Sequence, residues 1–110
     1  VARMHRQQHY RALATISHLP QIMAAALGNS TPEEWLTLTA GGWQDTTRVA
    51  AADPELWTQI FAQNRSAVLD AVRQANTELE KLSSSLNDEN WDALQEILTN
   101  AKRIRDALGN

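Results

Sequence analysis

The stretch from Gly41 to Ala50 reads G-G-W-Q-D-T-T-R-V-A. Paired glycines let backbone approach a ligand closely. Thr46 and Thr47 bring hydroxyls just ahead of Arg48, and a guanidinium can grip a carboxylate through two parallel hydrogen bonds, which an ammonium cannot. The stretch therefore reads as an anion site built around Arg48. Asp45 lies three residues earlier, so on a helical turn the two would share a face. The same letters also spell a glycine helix stop followed by an ordinary Asp–Arg surface pair of little energetic value. Spacing alone leaves both readings open.

Two other stretches carry chemistry-bearing side chains. His9 to Gln21 reads H-Y-R-A-L-A-T-I-S-H-L-P-Q, and Asp53 to Asn64 reads D-P-E-L-W-T-Q-I-F-A-Q-N. His18 sits beside Pro20, where a helix must kink, and a kink can aim a side chain into a cavity. Taken alone, a helical His is more often a core or surface residue. Trp57 falls in the first turn after Asp53-Pro54, where it faces whatever the preceding loop holds or simply anchors the helix start. His5 and His9 have the i,i+4 spacing of a metal pair, but no third ligand lies nearby and no metal is expected. There is no G-x-G-x-x-G, no phosphate-cradling loop, no nucleophile elbow and no credible acid–base pair. The chain can thus supply binding residues but no catalytic residue, and no cofactor is expected to bind it alone.

These side chains need elements to hold them, and the sequence predicts helices only. Leu13, Ile16, Leu19, Met23 and Leu27 recur at spacings of three and four, giving a first helix from near Val1 to Leu27 that Pro20 kinks or splits. Thr31-Pro32-Glu33-Glu34 predicts a second start, with Thr31 as N-cap and Glu34 closing a capping box, and a stop at Gly41-Gly42. A short helical piece is expected over 45–51. Asp53-Pro54-Glu55 is another start, and no breaker follows until about Asn87. Val68, Val72, Ala75, Leu79, Leu82 and Leu86 then form a narrow apolar seam. Asn87-Asp88 is read as the cap of a last helix with Trp91, Leu94, Leu98, Ala101, Ile104 and Leu108 inward and Gly109 as its stop. The last two helices should form an antiparallel hairpin.

A helix of about 33 residues at ~1.5 Å rise makes a rod of ~50 Å, against a radius of gyration of ~13 Å for a compact domain of ~100 residues. One copy can hardly cover both ends, so the pattern predicts a symmetric homodimer with exchanged or interlocked helices.

Composition narrows the function class. The chain has 110 residues, the size of one domain, and a net charge of −3. Its basic residues are scattered, the densest group being Lys102, Arg103 and Arg105, so nucleic acid is not an expected partner. Cysteine is absent, which excludes disulfides and thiolate metal sites and fits a cytoplasmic setting. No segment is apolar for long enough to cross a membrane, and Val1 to Arg11 is too polar for a signal peptide. The helical pattern is already under way at Val1, which suggests an upstream part beyond this chain.

The three motif stretches, in this order, resemble the C-terminal domain of prephenate and arogenate dehydrogenases. In that family a run like H-D-x-x-x-A-x-x-S-H-L-P-H opens the domain, G-G-[FWY]-x-D-x-T-R-[IV]-A-x-x-D-P-x-L-W-x-x-I-F-x-x-N follows, and a long helical hairpin closes it. The resemblance covers essentially the whole chain. It implies an all-α, intertwined dimer of the kind seen in the helical C-terminal domains of 6-phosphogluconate dehydrogenase-like enzymes, with residues 1–110 as one helical domain beside a separate N-terminal Rossmann domain holding NAD or NADP. The complete enzyme would oxidise prephenate or arogenate by hydride transfer with loss of CO2. Arg48 would bind a substrate carboxylate; His18 and Trp57 would line the cleft; Gly41 and Gly42 would give close backbone contact. His9 and Asp45 would join Arg48 in a polar network near the dimer interface. Tyr10 stands where the family has Asp, which rewires that network. Gln21 replaces the second His of S-H-L-P-H, near the substrate side chain, and so opens the choice between keto and amino substrates. A non-enzymatic helical dimerisation module is the competing reading, and it has no need of D-x-T-R-V-A-x-x-D-P-x-L-W.

Overall fold

A computed structural model of the chain describes residues 6–109. Among them every regular element is helical and no strand occurs, as the sequence predicts. His5, and with it the His5–His9 pair, lies outside the described residues.

The first predicted helix is three pieces. α1 runs Arg6–Leu13, a π-helical turn spans Ala14–His18, and α2 runs Leu19–Asn29. The interruption precedes Pro20 rather than falling on it, for a physical reason. Proline has no N–H to give the carbonyl four residues back and its ring crowds that carbonyl. The turn widens instead, so that the Leu19 N–H reaches the Ala14 carbonyl five residues back. His18 closes this wide turn.

The capping box at Thr31 does not form. Pro32 is the extended residue that caps a 3-10 helix over Glu33–Leu38, with no side-chain cap. The Thr31 hydroxyl instead donates to the Leu27 carbonyl (2.8 Å) and accepts from the Trp43 indole N–H (3.0 Å). It thus ties the end of α2 to the next element. Gly41 and Gly42 are not a helix stop either; they open α3, Gly41–Thr47, which passes into a 3-10 turn over Arg48–Ala51. Asp53 does cap α4, Pro54–Gln63, its carboxylate accepting from the Glu55 N–H at 3.0 Å.

The predicted unbroken helix breaks at Asn64, whose backbone (φ −124°, ψ 32°) is not helical. α5 then runs Arg65–Asn87, 23 residues. No Pro or Gly marks the break. Asn64 spends its side chain on distant groups, described below, and Asn is a residue whose side chain competes readily with helix geometry. The length argument for a partner loses a third of its span, and exposed side chains take its place.

The chain divides after Val72 into two compact units. In the first, Ala14, Val68 and Ala71 are buried, with Leu19, Ile22, Phe61, Ala67 and Val72 packed against them. Small residues at the centre let helices approach closely, and burying Val68 stabilises by about 1.5–3 kcal/mol.

The second unit, from Arg73, holds the rest of α5 and α6, Trp91–Ala107. The chain turns through Glu89, at φ 52°, and the cap of α6 is Asn90, not Asn87-Asp88: its side chain accepts from the Ala93 N–H at 3.1 Å. Gly109, at φ 82°, ends the helix as predicted, and Arg105 donates to its carbonyl. The predicted inner face of α6 is largely open: Trp91 is 55%, Leu98 57%, Ile104 58% and Leu108 75% exposed.

Candidate functional site

His18, Trp57, Phe61 and Asn64 come together in the first unit. The His18 ring meets Trp57 edge-on (6.1 Å, 82°) and Phe61 similarly (6.4 Å, 70°). Trp57 and Phe61 lie four apart on one face of α4, their rings 5.6 Å apart. The Asn64 side-chain nitrogen donates to the Tyr10 carbonyl at 3.1 Å and lies 3.4 Å from His18 Nδ1. A carbonyl only accepts, so it fixes which end of the Asn64 amide is nitrogen. The second N–H of that nitrogen then faces Nδ1, which must accept. In a neutral imidazole the proton is left on Nε2, ready to donate. Asn64 thereby orients His18, and only its place as the last letter of the third motif hints at this in the sequence.

Gln21 is buried in α2, and its side-chain nitrogen donates to the Val49 carbonyl at 2.7 Å. That bond spans 28 residues and ties α2 to the turn that Arg48 begins. Beside it lies a cavity of about 270 Å³, lined among others by Gln21, Ile22, Ala50, Trp57, Thr58 and Phe61. Gln21 and Trp57, both expected to face substrate, thus share one wall.

The remaining expected residues are not joined to one another. Arg48, Asp45 and His9 are exposed, and no hydrogen bond or ion pair links them among the described residues. The His9 ring lies 6.2 Å from the Tyr10 ring, tilted against it. The hydroxyls of Thr46 and Thr47 donate to the Gly42 and Trp43 carbonyls four residues back. They are spent on their own helix rather than standing free as anion donors. Gly41 and Gly42 are exposed, and a Cβ at either would meet nothing. The fold itself does not ask for glycine there.

The family model described as prephenate dehydrogenase, dimerization domain, matches residues 5–100. The chain belongs to this family. Among its relatives, the prephenate dehydrogenase of Bacillus subtilis is 32% identical over 93% of this chain and 29% of its own length. The cyclohexadienyl dehydrogenase of Zymomonas mobilis is 32% identical over 96% and 38%. Arogenate dehydrogenase of Synechocystis superposes with a TM-score of 0.85 at 29% identity, covering 91% of this chain and 39% of that one. Prephenate dehydrogenase of A. aeolicus, solved with hydroxyphenyl propionate and NAD+, also gives 0.85, at 32% identity, covering 96% and 39%. The chain therefore spans between about three tenths and two fifths of the length of these relatives.

Membership in a dimerization-domain family accords with the apolar side chains left open along α6. It also raises the question of a nicotinamide nucleotide. Dinucleotide binding needs a strand, a glycine-rich turn and a helix whose N-terminus meets the pyrophosphate. The described residues contain no strand, and the sequence has no such turn. No described helix is long and apolar enough to cross a membrane.

Proposed function

We propose that this chain is the substrate-binding and dimerisation domain of a prephenate or arogenate dehydrogenase, working with a nicotinamide-binding domain elsewhere in the enzyme. The observation that carries the reading is the cavity in which Gln21 and Trp57 share a wall, with the His18 ring against Trp57 and its Nδ1 turned to Asn64. A mostly apolar cavity with the Gln21 amide in its lining suits a ring-bearing organic acid. His18 offers an Nε2–H to an oxygen of the ring, and Trp57 packs on the ring itself. Hydride transfer to NAD or NADP and loss of the ring carboxylate would occur where the other domain closes the site.

Arg48 supplies the cation for a substrate carboxylate. Its guanidinium makes no hydrogen bond or ion pair with the described residues, so it is not committed to this chain. The A. aeolicus relative holds an aromatic acid with one carboxylate, the kind of group a guanidinium takes through two hydrogen bonds. His9 and Asp45 complete a polar network with Arg48 in the assembled enzyme, and Gly41 and Gly42 admit close approach of substrate or partner backbone. A homodimer covers the open face of α6.

In the full-length enzyme, Arg48→Ala should raise KM for the cyclohexadienyl substrate about 100-fold, as expected for losing a charged bidentate contact. The KM for the nicotinamide cofactor should stay within about twofold. An unchanged substrate KM takes Arg48 out of the site.

A further inference from the structure

Arg48 carries its charge on an exposed side chain that no described residue grips. Its place therefore depends on the backbone beneath it. That backbone is weak by itself. The helix that leads into Arg48, Gly41–Thr47, has seven residues and opens on Ala40 without a side-chain cap. Two of the seven are glycines, the poorest helix formers after proline. A helix this short does not hold in water unless something packs against it.

Two side-chain bonds tie this segment to α2 and its end, one on either side of Arg48. Behind it, the Val49 carbonyl accepts from Gln21 at 2.7 Å. Ahead of it, the Trp43 indole N–H donates to Thr31 Oγ1 at 3.0 Å. This second bond has a single sense. An indole nitrogen only donates, so Oγ1 must accept, and its own proton goes to the Leu27 carbonyl 2.8 Å away. Both bonds of Thr31 agree on one proton arrangement, and hydrogen bonds chained in this way polarise one another. The Trp43 carbonyl in turn accepts from the Thr47 hydroxyl at 2.8 Å. Thr47 is buried, and Arg48 follows it directly. A line of bonds thus runs from Leu27 through Thr31, Trp43 and Thr47 to the residue that bears the charge.

We propose that Trp43 is a positioning residue for substrate binding: its indole N–H, held by Thr31, sets Arg48 where the guanidinium meets the substrate carboxylate. The role rests on the dehydrogenase reading above and adds to it a residue that acts through another. A tryptophan that merely filled space would serve as well without its N–H, and that difference can be measured.

The test uses the full-length enzyme with its cofactor and its cyclohexadienyl substrate. Trp43→Phe keeps an aromatic ring and removes the N–H. Substrate KM should rise about three- to tenfold, the worth of one neutral hydrogen bond, while kcat and cofactor KM stay within about twofold. Thr31→Val keeps the shape of the side chain and removes the acceptor, so it should raise KM alike, and Thr31→Ser should restore it. The deciding measurement repeats Trp43→Phe in an Arg48→Ala background. A residue that acts through Arg48 has nothing left to move there, so KM should rise no further. Should Trp43→Phe fail to fold, Thr31→Val in the same two backgrounds gives the answer. An equal rise in both backgrounds, or no rise in either, overturns the inference and leaves the dehydrogenase reading standing. Arg48→Ala with an unchanged substrate KM removes Arg48 from the site, and the inference falls with it.

Discussion

Up to Val72 the buried apolar side chains are small: Ala14, Ala24, Val68 and Ala71. The polar side chains there reach across the sequence, Gln21 to Val49 and Asn64 to Tyr10, 28 and 54 residues apart. From Arg73 onward the polar bonds seen are local, Lys81 to Glu78 and Lys102 to Asp106, and large apolar side chains stand open on α6. The first region uses its sequence to hold particular groups at particular places. The second spends its apolar residues on a surface. A site needs long-range, directional bonds, and those lie up to Val72; the uncovered large apolar side chains that an interface needs occur in both segments, Ile16, Trp35 and Leu38 in the first and Leu98, Ile104 and Leu108 in the second.

Changing the open face of α6 gives the largest expected effect. Leu98→Asp combined with Ile104→Asp should weaken the homodimer at least about 100-fold, since each side chain contributes about 1.5–3 kcal/mol when buried and a symmetric interface counts it twice. Sedimentation of the intact enzyme reads this, and circular dichroism should show the helices retained. A dimer of unchanged strength would mean that the second segment is not the interface. Ala14→Leu makes the converse test in the first segment. Ala14 is 1% exposed at the start of the π turn, so three added carbons should destabilise by about 1–3 kcal/mol and leave dimer affinity alone. Thermal unfolding measures it.

How far the sequence spoke follows the same division. Periodicity foretold helices throughout, the Asp53-Pro54 start and the Gly109 stop, because these depend on neighbours along the chain. It misplaced the break at Asn64 and misread Thr31, because both answer to partners far away in sequence: Tyr10 and His18 for one, Trp43 for the other. The glycine pair looked like a stop because glycine usually is one, yet it opens α3. His18, Trp57 and Gln21 were legible as types in a motif; in the structure the His18 ring lies against Trp57, and Trp57 shares a cavity lining with Gln21. Asn64 was not, since an amide that orients another side chain leaves no periodic trace. The open face of α6 was read as inward because an amphipathic stripe does not say which surface it will meet.

Asn64 supplies a smaller, more local test. Asn64→Ala removes the donor to His18 Nδ1 and the bond to the Tyr10 carbonyl. kcat/KM of the full enzyme should fall about tenfold, the worth of one to two hydrogen bonds, with cofactor KM unchanged. The nitrogen NMR shifts of His18 should report a mixture of tautomers in place of the Nε2–H form. A drop in stability with His18 unaltered would make Asn64 structural only.

The smallest effect asked for is a gain. Gly42 lies within α3, has no positive φ, and a Cβ there meets nothing within 4 Å. Alanine is the better helix former by about 0.8–1 kcal/mol, so Gly42→Ala should raise the melting temperature. Among the described residues nothing opposes the change, so a loss of activity would point to something that approaches the helix from outside them. Higher stability with lower kcat/KM would mark the glycine pair as a place of close approach by substrate or a second domain. Higher stability with unchanged kinetics would reduce the pair to an unoptimised helix start and leave Arg48 as the only anion-binding group of that motif.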